Sequence, residues 1–121
     1  MDANGVEKAI LPARVDDVER RALRFVEARP DRCSLGVGGL DLLRPMETLR
    51  KLQAFVEHHS VAYTMTGPCF WGDGMYPPTD AVHYPMYTKC CELDLLLCMN
   101  AGIPGPPLPA EPQNPIYLDR V

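Results

Sequence analysis

Apolar and polar positions alternate along this chain in two rhythms, and the change from one to the other predicts strands and helices in turn. Val6 to Leu11 ends in Ala9-Ile10-Leu11 and meets Pro12, which predicts a short first strand closed by the proline. Over Asp16–Glu27, Val18, Ala22, Phe25 and Val26 share one face at helical spacing, with Asp16 or Asp17 as the cap and Pro30 beyond the end. Cys33 to Leu40 is compact, weakly polar and rich in glycine, as expected of a buried second strand approached closely by helices on one side.

Asp41 to Pro45 then turns the chain. Met46 to His58 places Met46, Leu49, Leu52, Phe55 and Val56 in one stripe, so a second helix covers the sheet. Val61 to Thr66 is β-branched and aromatic, a third strand ended by Gly67-Pro68. His83 to Leu93 reads as a third helix with Tyr84, Tyr87 and Cys91, and with them Cys90, on its inner side. Leu95 to Met99 is wholly apolar, a fourth strand of the kind covered on both faces.

Between these last two strands lies a long loop, Gly67 to Val82, and structureless stretches beyond about 12 residues in compact domains are often functional. The tail from Ala101 to Pro115 carries six prolines and two glycines, too many for regular structure. Ile116 to Val121 looks like the opening turns of a further helix. The order predicts an α/β fold with four parallel strands joined by right-handed crossovers, in a single domain over 1–121: β/α units within 5–100, a proline-rich loop 101–115 and a helix start 116–121. A closed eight-unit barrel needs about 250 residues, so 121 residues provide only part of one.

Composition narrows the classes. An apolar fraction of 46% with 23% charged residues is ordinary for a globular chain. A net charge of -4 gives no basic surface to neutralise phosphates, which argues against nucleic acid as a partner. The N-terminus has acid and amide where a signal peptide has a basic run, and no stretch approaches the roughly 20 apolar residues of a membrane span; a cytoplasmic location without membrane contact is expected. Five cysteines without a CxxC pair signal neither a disulfide framework nor a zinc ribbon, and Cys33 and Cys98 are expected to pack as small buried hydrophobes.

Ligands of parallel sheets gather beyond the carboxyl ends of the strands. Four places meet that criterion: Pro12–Arg14, Gly39–Asp41, Thr66–Asp73 and Asn100–Pro106. The substrate-pocket candidates are Thr66, Phe70, Trp71 and Asn100. Phe70 and Trp71 either wall an apolar pocket or fold back to plug the end of the sheet. Asn100 either offers its amide to a ligand or caps the turn that follows. Gly36, Gly38 and Gly39 match no phosphate-loop spacing, His58, His59 and His83 form no H-x-H or HExxH pattern, and no GxSxG is present. Asp41 and Asp80 stand alone in loops, and His58 and His59 suit the negative end of a helix dipole.

Three segments then carry a resemblance: Pro68-Cys69-Phe70-Trp71-Gly72, Tyr84 through Leu93, and Cys98 through Pro106 with Gln113-Asn114-Pro115. They resemble the amidohydrolase-related family of metal-dependent hydrolases, and within it the branch related to aminocarboxymuconate-semialdehyde decarboxylase. Asn4 to Ile10 and Ala28 to Arg32 are similar to that family's second strand and following helix end. The resemblance implies a (β/α)₈ barrel of TIM type. It also implies one divalent metal, usually zinc, that activates water for hydrolysis or assists non-oxidative decarboxylation of a small carboxylated or cyclic molecule. The family's ligands are an H-x-H pair on the first strand, a middle-strand histidine and a last-strand aspartate. Asn100 stands where many relatives carry the middle histidine, and the first and last strands have no counterpart here, so no metal ligand transfers to any residue. The expectation is a central segment that binds no metal and is inactive alone. The alternative is a non-catalytic remnant or interaction module that self-associates through open sheet edges.

Overall fold

The computed structural model describes residues 2–16, 20–67, 75–105 and 107–121. Four strands and three helices alternate: β1 (Ala9–Arg14), α1 (Arg21–Ala28), β2 (Cys33–Gly38), α2 (Pro45–His58), β3 (Val61–Thr66), α3 (Tyr84–Glu92) and β4 (Leu96–Met99). The strands form one sheet in the order 1-2-3-4, and every neighbouring pair is parallel. Pairing runs Ala9 with Cys33 through Arg14 with Gly38, slips by one residue between Leu35 and Gly36 against β3, and resumes as Tyr63 with Leu96.

Among the described residues, helices cover only one face of this sheet. Ala13, Cys33, Leu35 and Val37 of the strands share one buried cluster with Leu23 and Val26 of α1, Leu52 of α2, and Met86 and Cys90 of α3. Thr64 points to the same side, fully buried, and its hydroxyl donates to the Val37 carbonyl at 3.1 Å. Strand side chains alternate between faces, so Ile10, Pro12, Ser34, Gly36, Tyr63, Met65, Leu96 and Cys98 occupy the opposite face. There Ile10 is 48% and Leu96 74% exposed. The apolar run of β4, expected to be covered on both sides, is therefore covered on one. Cys98, expected to be buried, is exposed; Cys33 is buried as expected.

Gly36 also departs from expectation. Instead of admitting a helix, it lies under the Tyr63 ring on the open face, where a Cβ would fall 2.5 Å from Tyr63 Cζ. A side chain there would collide with the ring.

Several element limits differ from the sequence pattern for local reasons. β1 continues through Pro12, because Ala9 and Val15 donate toward β2 and the alternate residues face outward. The donor that proline lacks would have pointed away from the sheet, the one strand position where proline is tolerated. α1 starts at Arg21 rather than Asp16. Its N-cap is Arg20 in the left-handed region (φ 50°), and Asp16 pairs with Arg14 instead; Asp17 to Glu19 lie outside the described residues. Its buried stripe is Leu23 and Val26, with Phe25 66% exposed. α2 opens with Pro45 at its first position, where a missing N–H costs nothing; Met46 is exposed rather than inward. α3 follows a 3-10 turn, Ala81–His83, capped by Asp80, whose carboxylate accepts from Val82 N–H at 2.9 Å. It buries Met86 and Cys90, while Tyr84 and Cys91 are exposed. In the tail, Glu111–Gln113 and Pro115–Arg120 form 3-10 turns, so the expected helix start is a tighter helix.

Candidate functional site

The carboxyl ends of all four strands lie along one rim, and two of the four places selected from the sequence meet there. Arg14 ends β1 and Asp16 follows it, Gly39 and Asp41 follow β2, and the first turns of α2 close the group, lining a cleft of about 190 Å³. Gly39 adopts φ 78°, and a Cβ on it would sit 3.1 Å from Arg14 Cζ, so glycine serves both the turn and the close passage of the guanidinium. Arg14 grips Asp16 in a fork, Nε to Oδ1 at 2.9 Å and Nη2 to Oδ2 at 3.3 Å. This holds the Asp16 carboxyl below the usual range against an opposing desolvation effect. Arg44 lies 3.9 Å from Asp41, and Lys51 lies 2.6 Å from Glu47 and lowers that carboxyl too. The buried Thr48 hydroxyl donates to the Asp41 carbonyl at 2.7 Å, tying the loop after β2 to α2.

Each cation of this cleft has an acidic neighbour, and the pairs are exposed. Exposed pairs are screened by water and contribute little to stability, so the group fixes loop geometry more than it stores energy. It offers no uncompensated charge with which to draw in an ion. Arg44, Glu47, Thr48 and Lys51 were not visible in the sequence as site residues, because only the approach of the first turns of α2 to the end of β1 and the loop after it brings them there.

The other half of the rim holds Thr66 and Asn100. They are neighbours through the backbone, Asn100 N–H donating to the Thr66 carbonyl at 3.3 Å. Gly67, at φ 152°, passes so close that a Cβ would lie 3.2 Å from Asn100 N. Their side chains part company. Thr66 is 1% exposed on the helix-covered face, and its hydroxyl has no hydrogen-bond partner among the described residues. Asn100 is exposed and continues the alternation of Leu96 and Cys98 on the open face. The two thus share a rim but not a pocket. Phe70 and Trp71, the remaining pocket candidates, lie outside the described residues.

No family model, no curated protein and no solved structure matches the chain. What it can bind or catalyse therefore rests on its own residues. Among the described residues, no three His, Cys, Asp or Glu side chains come together as a metal site. His58 and His59 sit at the end of α2, which returns the chain to the start of β3 and so lies at the edge opposite the rim. The Ala54 carbonyl accepts from His58 Nδ1 at 2.7 Å, the helix-end role expected.

His83 has a structural part that its sequence position did not announce. It is fully buried, its Nε2 lies 3.3 Å from the Tyr76 carbonyl, and its ring stacks on Tyr87 with centroids 5.9 Å apart. Burial lowers its pKa, favouring the neutral ring. Tyr87 donates to the Pro78 carbonyl at 2.6 Å. Together they anchor the last part of the long loop, Tyr76 to Pro78, to α3. The signal available was the four-residue spacing of His83 and Tyr87 after Pro77-Pro78, which places both rings on one helix side. No helix among the described residues is long and apolar enough to cross a membrane.

Proposed function

We propose that this chain is four consecutive units of a (β/α)₈ barrel of the amidohydrolase-related kind, supplying scaffold and substrate-facing rim rather than metal ligands. One observation carries the reading: consecutive parallel strands in unbroken order, with all three helices on one face and an apolar face left open. A doubly wound sheet reverses its strand order and places helices on both faces. A barrel keeps the order and turns the uncovered face inward, where layers of side chains fill the centre. The reaction class, hydrolysis or non-oxidative decarboxylation of a small carboxylated or cyclic molecule, comes from the resemblance of the Pro68–Gly72, Tyr84–Leu93 and Cys98–Pro106 segments to that family. In this reading Thr66 and Asn100 orient the loops that face the substrate. The zinc holders come from strands outside these four, and the chain alone turns over no substrate.

The test compares this chain with a version extended by the flanking coding sequence. Elemental analysis after zinc loading should find substoichiometric metal in the chain alone. The extended protein should contain an upstream H-x-H and a downstream strand-end His and Asp, and should bind one zinc. Stoichiometric zinc in the short chain, or flanking sequence without those ligands, overturns the proposal.

A second reading, an interaction module that pairs through its sheet edges, is favoured by β1 and β4 standing at the two ends of the strand order.

A further inference from the structure

We propose that two copies of this chain close on each other about a two-fold axis, β4 of each pairing in parallel with β1 of the other, to give an eight-stranded barrel. The inference rests on the half-barrel reading and names what completes it when the chain is alone: a second copy.

Three observations point to that occupant. The first is area. The chain exposes 7584 Å², whereas a folded monomer of 13.5 kDa is expected to expose about 6500 Å². The excess of about 1000 Å² is spread over the chain, the irregular tail with Ile103 at 96% exposure included, and matches in size the roughly 800 Å² per partner that a stable interface buries. The second is the chemistry of the uncovered face. Ile10, Pro12, Met65, Leu96 and Cys98 are apolar, Ser34 and Tyr63 add only hydroxyls, and the charges stand at the two ends of β1, Lys8 beside Ile10 and Ser34 at the start and Arg14 paired with Asp16 at the rim, so closure strands no charge in the middle of the face. Gly36 opposite Tyr63 supplies the small-against-large alternation that fills a barrel centre.

The third is the pair of edges. Among the described residues, the outward backbone groups of Ile10 and Arg14 on β1, and of Leu97 and Met99 on β4, have no strand beside them. Pro12 lacks its donor on the β1 edge but keeps its carbonyl. An antiparallel β4-to-β4 dimer would satisfy one edge and leave the apolar face wet. Parallel closure covers both edges and the face at once.

Closure also sets a register. Ala13, Val37, Thr64 and Leu97 form one line of paired positions across the sheet. An eight-stranded barrel with a shear of about 8 displaces such a line by about four residues over half its circumference. Leu97 then meets Ala9 of the second copy, and Cys98 comes beside the second copy's Ile10.

The experiment combines mass and cross-linking. Sedimentation across about 1–100 μM should show a species of twice the 13.5 kDa chain mass. Leu96→Arg, at a site exposed in the single chain, should weaken that dimer at least about tenfold with an unchanged far-ultraviolet spectrum. In a Cys69→Ser, Cys91→Ser background, Ile10→Cys should form an intermolecular disulfide under mild oxidation, and a further Cys98→Ser should abolish it. A monomer throughout the range, or a dimer indifferent to Leu96→Arg, overturns the closure and leaves the barrel reading to its own zinc test. A Cys98-to-Cys98 disulfide in the background lacking Ile10→Cys establishes the antiparallel arrangement and overturns the closure as well.

Discussion

Gly36→Ala offers the sharpest check on how the open face is built. In a strand, replacing glycine by alanine ordinarily gains about 0.5–1 kcal/mol by restricting the unfolded chain. At Gly36 the new methyl would lie 2.5 Å from Tyr63 Cζ and 2.6 Å from its hydroxyl oxygen. Ordinary carbon contacts are about 3.5–4.0 Å, so the ring must retreat by roughly 1 Å or more. Overpacking of that kind costs about 1–3 kcal/mol, and the net expectation is a loss of about 0.5–2 kcal/mol. Tyr63→Val removes the ring while keeping a strand-forming side chain. In that background Gly36→Ala should revert to its ordinary stabilising sign. Urea melts of the wild type, both single variants and the double variant close a double-mutant cycle, with an expected coupling of about 1–3 kcal/mol. If Gly36→Ala changes stability equally with and without the ring, Tyr63 does not lie over Gly36 and the described open face is wrong.

Other measurements address the covered face and the buried ring. Leu52, with no exposed surface, should cost about 3 kcal/mol when changed to alanine, read as a shift in the urea midpoint; a loss under about 1 kcal/mol would mean α2 does not sit on the sheet as described. Brief alkylation of the folded chain near neutral pH should modify Cys91 and Cys98. Cys33 should stay protected by burial, as should Cys90, whose thiol is pushed up to about 11; equal labelling of all four refutes the core assignment. Burial lowers the His83 pKa from 6.5, so the unfolded chain binds a proton more readily than the folded one, and the stability contributed by the neutral ring is full above about pH 6.5 and is lost as pH falls below it. Urea midpoints between pH 7.5 and 5 should therefore fall more steeply for the wild type than for His83→Gln, and identical slopes would contradict the buried neutral ring.

The fold was legible where signals were local. β3 runs over Val61–Thr66 as its β-branched pattern indicates, and Gly67, at φ 152°, follows it. α2 begins within one residue of expectation because Pro45 marks its start. The errors arise where a neighbour decides. Pro12 breaks a strand only if its missing donor faces a partner, and that depends on β1 lying at an edge. The wholly apolar β4 cannot declare which of its faces is covered, since burial on either side calls for the same residues. Arg20 in the left-handed region delays α1, and no acidic cap foretells it. At the rim, the strand-end positions Arg14, Asp41, Thr66 and Asn100 followed from topology. The convergence of Arg44, Glu47 and Lys51 on Arg14, and the divergence of Thr66 from Asn100, depend on long-range packing and on side-chain direction.

The divergence at the rim and the open face have one origin. In a parallel sheet with all its crossovers on one side, each strand presents one row to the helices and one row elsewhere. Thr66 belongs to the first row and Asn100 to the second. A molecule held by Asn100 would therefore stand over the open face and not within the helix layer, so whatever covers Leu96 and Cys98 also floors the space beside Asn100. Fully burying a side chain such as Leu96 contributes about 1.5–3 kcal/mol, and the described residues leave most of that unused. In the proposed closure, the cover that recovers this energy and the floor of the space beside Asn100 are the same surface. Substitutions at Leu96 should consequently alter both assembly and any chemistry at the rim, whereas substitutions at Leu52 act through stability alone.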